Sequence, residues 1–505
     1  MKIFLSLFLL LSFTQISRGQ IVGPVPEGQL NSMYQNGISN MSAYGDTLWI
    51  GPMLQRHIGQ QMDWYTANKA DSVINGRGRL YSIDLAKDTV VAGLGYSVSV
   101  SGSATDTGLG YYTSTDGGNN WTFIPLPLEA KTDTLYQYGS NTLAYLPVVV
   151  PQQSPPYDVK IHGNTIFSVN WAMGLIRSTD FGKTWKRIIL PPSNVDTLSP
   201  THKYTFKYDP RTDDNFLGFG LCIDHQGYVW VGTADGVNIS PNVLTTPRDS
   251  VIWYHKQASS AINGLLGNWV ITIKKQPGTN RVWLTNWTTG SSDKFGIVSS
   301  DNHGRTFRHY LIGEKIYDIA FHDSTIFAAG DNGLFISLND GKTWDRIHQI
   351  KSANTFIKQN AAYYSVARTS QKFWVGTSNG LASTSDNGKT WDISRVNFPL
   401  KGGNRFQKDA PNINCYAYPN PFSRSQDGIV RIKFNVPNSG NVTIKLYDFG
   451  MNLIRVLDNK YVNSGTHEAV WNGLDAHGNR VANGVVFYQI KTSKHTFGGK
   501  ILVLQ

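Results

Sequence analysis

Carboxylates that could work as a pair are scattered along this chain of 505 residues at Asp63, Asp158, Asp224, Asp293 and Glu314. Two of them held about 5–10 Å apart across a cleft would be enough to hydrolyse a glycosidic bond, and such a pair leaves no local sequence signature. Each also fits a solvated loop or turn, and Asp224-His225, just before Gly227, reads as a hairpin turn rather than a metal site. No catalytic residue is therefore assigned. Tryptophan offers a different chemistry, because its flat apolar ring can stack on a sugar face. Trp64, Trp171, Trp269, Trp283 and Trp287 stand apart from the chain's repeated segments. Of these, Trp171, Trp283 and Trp287 are taken as candidate ligand-binding residues, Trp283 and Trp287 falling on one side of a strand or loop around Leu284-Thr285-Asn286. Packing between sheets is the alternative for all of them. No HExxH, GxSxG or Cys/His cluster occurs, and the 12 histidines lack metal-ligand spacing, so neither a metal nor a cofactor is expected.

The elements that must position these residues are announced by a repeat. Five times a glycine is followed eleven residues later by a bulky aromatic: Gly110 to Trp121, Gly174 to Trp185, Gly296 to Phe307, Gly333 to Trp344 and Gly380 to Trp391. Each pair encloses a short apolar strand, a Ser or Thr, an Asp or Asn two residues on, and a Gly two beyond that. The turn residues are Ser114, Asp116 and Gly118; Ser178, Asp180 and Gly182; Asn302 and Gly304; Asn339 and Gly341; Asp386 and Gly388. Side-chain oxygens of Ser and Asp two apart can fold back onto backbone N–H groups, and Asn does so nearly as well. The Gly permits φ > 0, which makes the segment a hairpin turn, and the aromatic then buries a large face against a neighbouring sheet. Upstream lies a second repeat, an apolar strand ending in a small-residue turn: WIG from Trp49, WVGT from Trp230, FAAG from Phe327 and WVGT from Trp374. One unit thus reads strand, tight turn, strand, turn motif, strand, and self-similarity on this scale marks a repeat architecture.

These residues resemble the Asp-box, or BNR, repeat of sialidases, of other glycoside hydrolases and of non-enzymatic propellers. The resemblance implies a β-propeller with the boxes at the blade periphery, as structural turns. The WVGT segments also resemble propellers of two-component sensors. Units near 40–66, 86–124, 157–190, 216–256, 268–310, 315–347 and 360–394 give seven blades, the fourth having lost its box. Long insertions at 125–156 and 191–215 are the expected ligand surface. Sialidases need an arginine triad, a Tyr activated by a Glu and an acidic residue. Their Arg-Ile-Pro phrase is absent before the first box, and no Arg falls between residues 82 and 176, so sialidase activity is not expected.

Residues 1–19 carry Lys2, an apolar run from Ile3 to Phe13 and a small-residue exit at Ser17 and Gly19, which reads as a secretory signal peptide. No later segment is long and apolar enough for a membrane span. Loss of Lys2 and Arg18 with the leader leaves 44 basic and 35 acidic residues. The excess has no runs or stripe, so nucleic acid is not an expected partner, whereas a weakly cationic surface suits anionic glycans or simply solubility. Two cysteines, Cys222 and Cys415, make no disulfide framework and read as unpaired.

Residues 20–400 are read as the propeller, polar 401–414 as a linker, and 415–505 as an immunoglobulin-like β-sandwich, from short alternating segments between 429 and 504. Tyr418-Pro419-Asn420-Pro421-Phe422, LYDFG at 446–450, Trp471-Asn472-Gly473 with Asp475, Gly478 and Gly484, and the closing KILVLQ resemble the C-terminal sorting domain of type IX secretion cargo. They are also similar to the immunoglobulin-like domain of the flagellar hook-capping protein, with Asn472 and Val486 departing from its Trp-Asp-Gly and Gly-Val-Tyr phrases. The resemblance implies the type IX secretion machinery as partner, and passage through the periplasm to release or surface attachment. A plain adhesive sandwich is the alternative. The chain is thus expected to be all-β, a seven-bladed β-propeller followed by the sandwich. Its expected role is that of a secreted or cell-surface module, monomeric, that binds a polysaccharide or protein ligand. A glycoside hydrolase or lyase acting on a polysaccharide is the alternative.

Overall fold

A computed structural model describes residues 28–30, 33, 35–59, 64–66, 79–290, 292–353, 355–396 and 413–504. The expected leader at 1–19, Asp63 and most of the 401–414 linker lie outside them. The described chain is all-β apart from short helical turns and forms two compact units, residues 1–350 with 357–395, and 351–356 with 396–505.

The first unit is a seven-bladed β-propeller. Seven antiparallel sheets follow one another along the chain: blade 1 from strands within 28–66, blade 2 within 79–125, blade 3 within 156–188, blade 4 within 197–256, blade 5 within 269–310, blade 6 within 316–347 and blade 7 within 363–394. In blades 2, 3, 5, 6 and 7 four strands pair in chain order. Each first strand lies beside the first strand of the next blade, and that of blade 7, Tyr363–Arg368, lies beside that of blade 1, Met41–Tyr44. The ring is thereby closed. Its closing seam packs Met33, Ile38, Met41, Leu48 and Ile50 against Ala367, Trp374 and Leu381. Two backbone bonds cross it, Ile38 N to Thr377 O at 3.0 Å and Ser370 N to Gly45 O at 2.8 Å.

Neighbouring first strands have no ladder between them, so their edge N–H groups need other acceptors. Aspartates of the preceding blade provide three: Asp84 accepts from Ile161 N at 2.9 Å, Asp158 from Leu221 N at 2.9 Å, and Asp318 from Val366 N at 3.1 Å. The second-strand glycine of the WVGT motif has a matching reason. A Cβ at Gly232 would stand 2.2 Å from Val270 O, and one at Gly376 2.7 Å from Ile38 O, because the next blade's backbone passes there.

The insertions between blades are ordered structure rather than open ligand loops. Leu135–Tyr138 and Asn141–Tyr145 form a hairpin, and Lys207–Tyr208 pairs parallel with its second strand. Inward Tyr136, Tyr138, Tyr145 and Tyr208 are buried with Ile188, Phe216 and Trp253 of blades 3 and 4. The sequence expectation of a ligand surface there is corrected for these residues, since the alternation of LYQY and NTLAY spends its aromatics on core.

The second unit is an immunoglobulin-like sandwich. Its three-stranded sheet comprises Cys415–Tyr418, Val430–Val436 and Gly465–Trp471; its four-stranded sheet comprises Leu453–Val462, Gly440–Tyr447, Gly484–Lys491 and Thr496–Val503. Phe422, Ile432, Ile444, Leu446, Trp471, Tyr488 and Ile501 meet in its core. Trp471 donates Nε1–H to Leu474 O at 2.8 Å, and Asp475 accepts from the backbone N of His477 and Asn479, each at 2.8 Å. Cys415 opens the first strand of this unit, and both Cys415 and Cys222 are free thiols.

Candidate functional site

The five turn motifs share one geometry. Ser114, Ser178, Ser300, Ser337 and Thr384 each accept from the N–H of the motif glycine at 2.7–2.9 Å and donate to the Asp or Asn oxygen at 2.7–3.0 Å. That oxygen also accepts the N–H four residues on, at 2.8–3.1 Å. Only the outer atom differs. Asp180 and Asp386 accept from Thr184 and Thr390 hydroxyls at 2.7 and 2.6 Å, whereas Asn302 and Asn339 donate to Thr306 and Thr343 hydroxyls, both at 2.8 Å. A hydroxyl that both donates and accepts explains how Asn can stand in for Asp in the same turn. Trp121, Trp185, Trp344 and Trp391 lock the turn by donating Nε1–H to the glycine carbonyl at 3.0–3.1 Å, a bond Phe307 lacks. Blade 4 keeps the opening half, Ser240 bonding Asn242 at 3.1 Å, before its longer hairpin.

Each motif lies against the preceding blade. Gly341, at φ +83°, would place a Cβ 2.9 Å from the Tyr310 ring and 3.0 Å from that of Trp283. The Ser or Thr hydroxyl and the Asp or Asn side chain of each motif are spent on its own turn. Hydrogen bonds hold the Asp180 and Asp386 carboxyls down at about 2, the threonine hydroxyl contributing most, and Asp116 lower still through Asn120 N–H. Their contribution to stability is therefore complete above the unfolded carboxylate value, roughly 4, and is lost as pH falls towards 2. Asp→Asn at 116, 180 and 386 together is expected to flatten the stability profile between pH 4 and 2, as read by denaturation midpoints at each pH; an unaltered acid limb would refute this.

Of the scattered carboxylates, those described are committed elsewhere. Asp158 bonds Lys160 Nζ at 2.6 Å and Val159 N at 2.8 Å besides Leu221 N. Asp224 accepts from Gln226 N, Tyr228 N and Trp230 Nε1, all at 2.9 Å. Asp293 ties Thr289 and Asn268, and Glu314 accepts from Asn332 Nδ2 at 2.7 Å. Trp283 is wholly buried, bonded to Gln276 Oε1 at 2.9 Å and covered by Tyr310 and Phe321. No face of it is open to a ligand, which corrects its placement among candidate platforms. Trp171 and Trp287 are also buried, Trp171 against buried Phe219 and the partly buried Tyr157 and Trp269.

Those rings come from a feature the sequence reading missed. In blades 2–7 the first strand slips register against the second near its start. The residues that the register skips are Tyr81, Tyr157, Phe219, Ile271 with Thr272, Tyr317 and Tyr364. A bulge re-aims a side chain out of the pleat, and here it does so on the ring's inner wall, at the end where first strands begin. The rings meet across blades: Tyr81–Tyr157 at 6.0 Å, Tyr157–Phe219 at 5.7 Å, Phe219–Trp269 at 5.4 Å, and Tyr317–Tyr364 at 6.2 Å. Trp269 pairs across strands with Trp287, whose ring stands edge-on to Tyr317 at 5.2 Å. An aromatic arc thus follows the mouth from blade 2 to blade 7. A repeated signal was present in Tyr81-Ser82, Tyr157-Asp158, Phe219-Gly220, Tyr317-Asp318 and Tyr364-Ser365, an aromatic followed by a small or acidic residue.

Polar groups edge the arc. Arg79 donates to Tyr81 OH at 2.5 Å and to Asp106 at 2.7 Å. Asp214 and Asp235 flank the apolar patch of Trp171, Leu217, Phe219 and Ala234. Desolvation pushes both carboxyls up; their mutual repulsion adds for Asp214, while bonds from Ser193 and Gln257 oppose it at Asp235. Among the described residues no group of three or more His, Cys, Asp or Glu is arranged to hold a metal ion, and no helix is long and apolar enough to cross a membrane.

The family model described as the FlgD Ig-like domain matches residues 421–497. No curated protein matches the chain. Among solved structures it is similar to PorZ of Porphyromonas gingivalis, a surface component of the type IX secretion system, at 14% identity over 93% of this chain and 75% of that one, TM-score 0.36. It is similar to YCF48 from Cyanidioschyzon merolae at 16% identity over 71% and 95%, TM-score 0.42. It is also similar to the GH74 enzyme of Niastella koreensis at 11% identity over 96% and 74%, TM-score 0.47. At such identities these likenesses carry no argument about ligand or activity.

Proposed function

We propose that this chain is a secreted or cell-surface binding module whose propeller holds a polysaccharide at its aromatic mouth, with the terminal sandwich serving as a type IX sorting domain. The observation that carries the reading is the arc of bulge-presented rings. A packing role alone does not require a register slip at the same place in six successive blades, five of which bring an aromatic to it, and the partly exposed faces of Tyr81, Tyr157, Trp269, Tyr317 and Tyr364 in a concave wall are what sugar rings stack on. Trp171 and Trp287 support the platform from beneath. The boxes build the blades that hold it.

The test is a glycan array followed by calorimetry on the full secreted chain. Retention of a polysaccharide is expected, and Trp269→Ala or Tyr157→Phe/Trp269→Ala should weaken it roughly tenfold or more, as loss of a central ring contact does. Ring variants that bind as well as the parent would sink the reading. A hydrolase is the second reading, favoured only by the raised carboxyls of Asp214 and Asp235, a state suited to a proton donor. New reducing ends released from the bound polymer, and lost in Asp235→Asn, would replace binding by hydrolysis.

A further inference from the structure

Lys160, Lys274 and Lys315, on or just before first strands, differ in their surroundings. Lys160 is paired with Asp158 at 2.6 Å and Lys274 with Asp318 at 2.9 Å. Lys315 has its acid, Asp331, at 3.8 Å, beyond hydrogen-bond length. Its ammonium instead lies 4.3 Å from the Trp287 ring centroid and 5.4 Å from that of Tyr317. Asp331 is itself engaged by the Tyr317 hydroxyl, and the neighbouring Glu314 by Asn332. The Lys315 side chain is only 26% exposed.

An ammonium on a side chain this far buried normally takes a close counter-ion or acceptor, because withdrawing a charge from water unpaired is costly. Attraction to ring faces offsets part of that cost but leaves N–H donors unfilled. The position matters as much as the charge. Lys315 immediately precedes the blade 6 first strand, Ile316–His322, and stands between the rings of Trp287 and Tyr317. A sugar stacked on the blade 6 and 7 rings would present an equatorial substituent to it. Across the whole chain 46 basic residues against 35 acidic favour encounter with anions.

Resting on the binding reading, we infer that the blade 5–7 sector of the mouth selects an anionic sugar, with Lys315 donating to its carboxylate while Tyr317 and Tyr364 stack the ring. The rest of the arc, from Tyr81 to Trp269, contacts the polymer through apolar faces. Asp331 keeps the ammonium in place and yields its share of the charge to the ligand.

The experiment compares affinity of the full chain for alginate, polygalacturonate and hyaluronate with their methyl-esterified forms, which keep the ring and remove the charge. A preference of roughly tenfold or more for at least one acid form is expected, the range for a hydrogen bond to a charged group. It should shrink with added salt, vanish in Lys315→Gln and persist in Lys315→Arg. Equal binding of acid and ester overturns this inference and leaves the binding reading standing. A preference that survives Lys315→Gln overturns the assignment to Lys315. If neither form of any polymer, nor any neutral or sulfated glycan, is retained, the binding reading falls and this inference with it.

Discussion

Replacing Trp283 by alanine is expected to cost the propeller about 3–5 kcal/mol, the range for truncating a fully buried large aromatic. The ring fills the junction of blades 5 and 6, with Tyr310 at 4.6 Å, Phe321 at 5.7 Å and the Arg281 guanidinium at 5.7 Å. Its removal does more than open a void. Gln276 Oε1 loses its donor, while Gln276 Nε2 and Arg281 still hold Asp340, in the blade 6 turn, at 2.8 and 2.6 Å. The cavity therefore adjoins the polar contacts that carry blade 6, and an orphaned acceptor adds to the loss. Denaturant midpoints followed by tryptophan fluorescence would measure the effect. A loss under 1 kcal/mol with reduced glycan binding would restore Trp283 to the ligand surface.

Arg187→Met is expected to cost a comparable 3–5 kcal/mol, the usual consequence of removing one partner of a buried ion pair. Arg187 and Glu129 are 1% and 16% exposed and 2.6 Å apart. Arg187 lies over the Tyr145 ring at 4.8 Å, and Glu129 also receives the Tyr145 hydroxyl and Val148 N. The pair fastens the 126–155 insertion to the fourth strand of blade 3, Lys186–Ile188. Without the guanidinium the carboxylate is left desolvated in a tyrosine-rich core. The double variant Arg187→Met/Glu129→Gln should recover much of the loss, because no charge then remains uncompensated. Additive losses in that cycle would show that packing, and not the charge, matters.

The fold was legible because its turns demand particular residue types. A Ser-x-Asp-x-Gly hairpin with a closing aromatic is needed wherever a third and fourth strand must join tightly against a neighbour, so copies of it count blades. The site was far less legible. The bulge's one repeated signal, an aromatic followed by a small or acidic residue, is too common in strands to stand out: Tyr157 beside Asp158 looks like any strand residue until the pairing of Pro156 and Asp158 is seen to skip it. Residue type also misled where burial decided the matter. Trp283 and Trp269 are alike in sequence, yet the first is sealed between blades and the second is half exposed at the mouth. The insertions misread as loops conceal a hairpin whose strands are four and five residues long, too short for alternation to stand out.

The seam between blades 7 and 1 has a bearing on how the molecule comes into being. Among the described residues no blade borrows a strand from the opposite terminus, so each can be completed from chain already at hand. The contacts within a blade are local and quick to form, and the cost of joining distant segments grows only with the logarithm of their separation. Residues 33–50 must nevertheless wait for 367–381 before Trp374 is covered. A chain delivered from its N-terminus would build an open row of blades and become a ring at the final step. Substitutions in the turns would then govern whether each blade holds, and substitutions at Ile38 or Trp374 how fast the circle shuts.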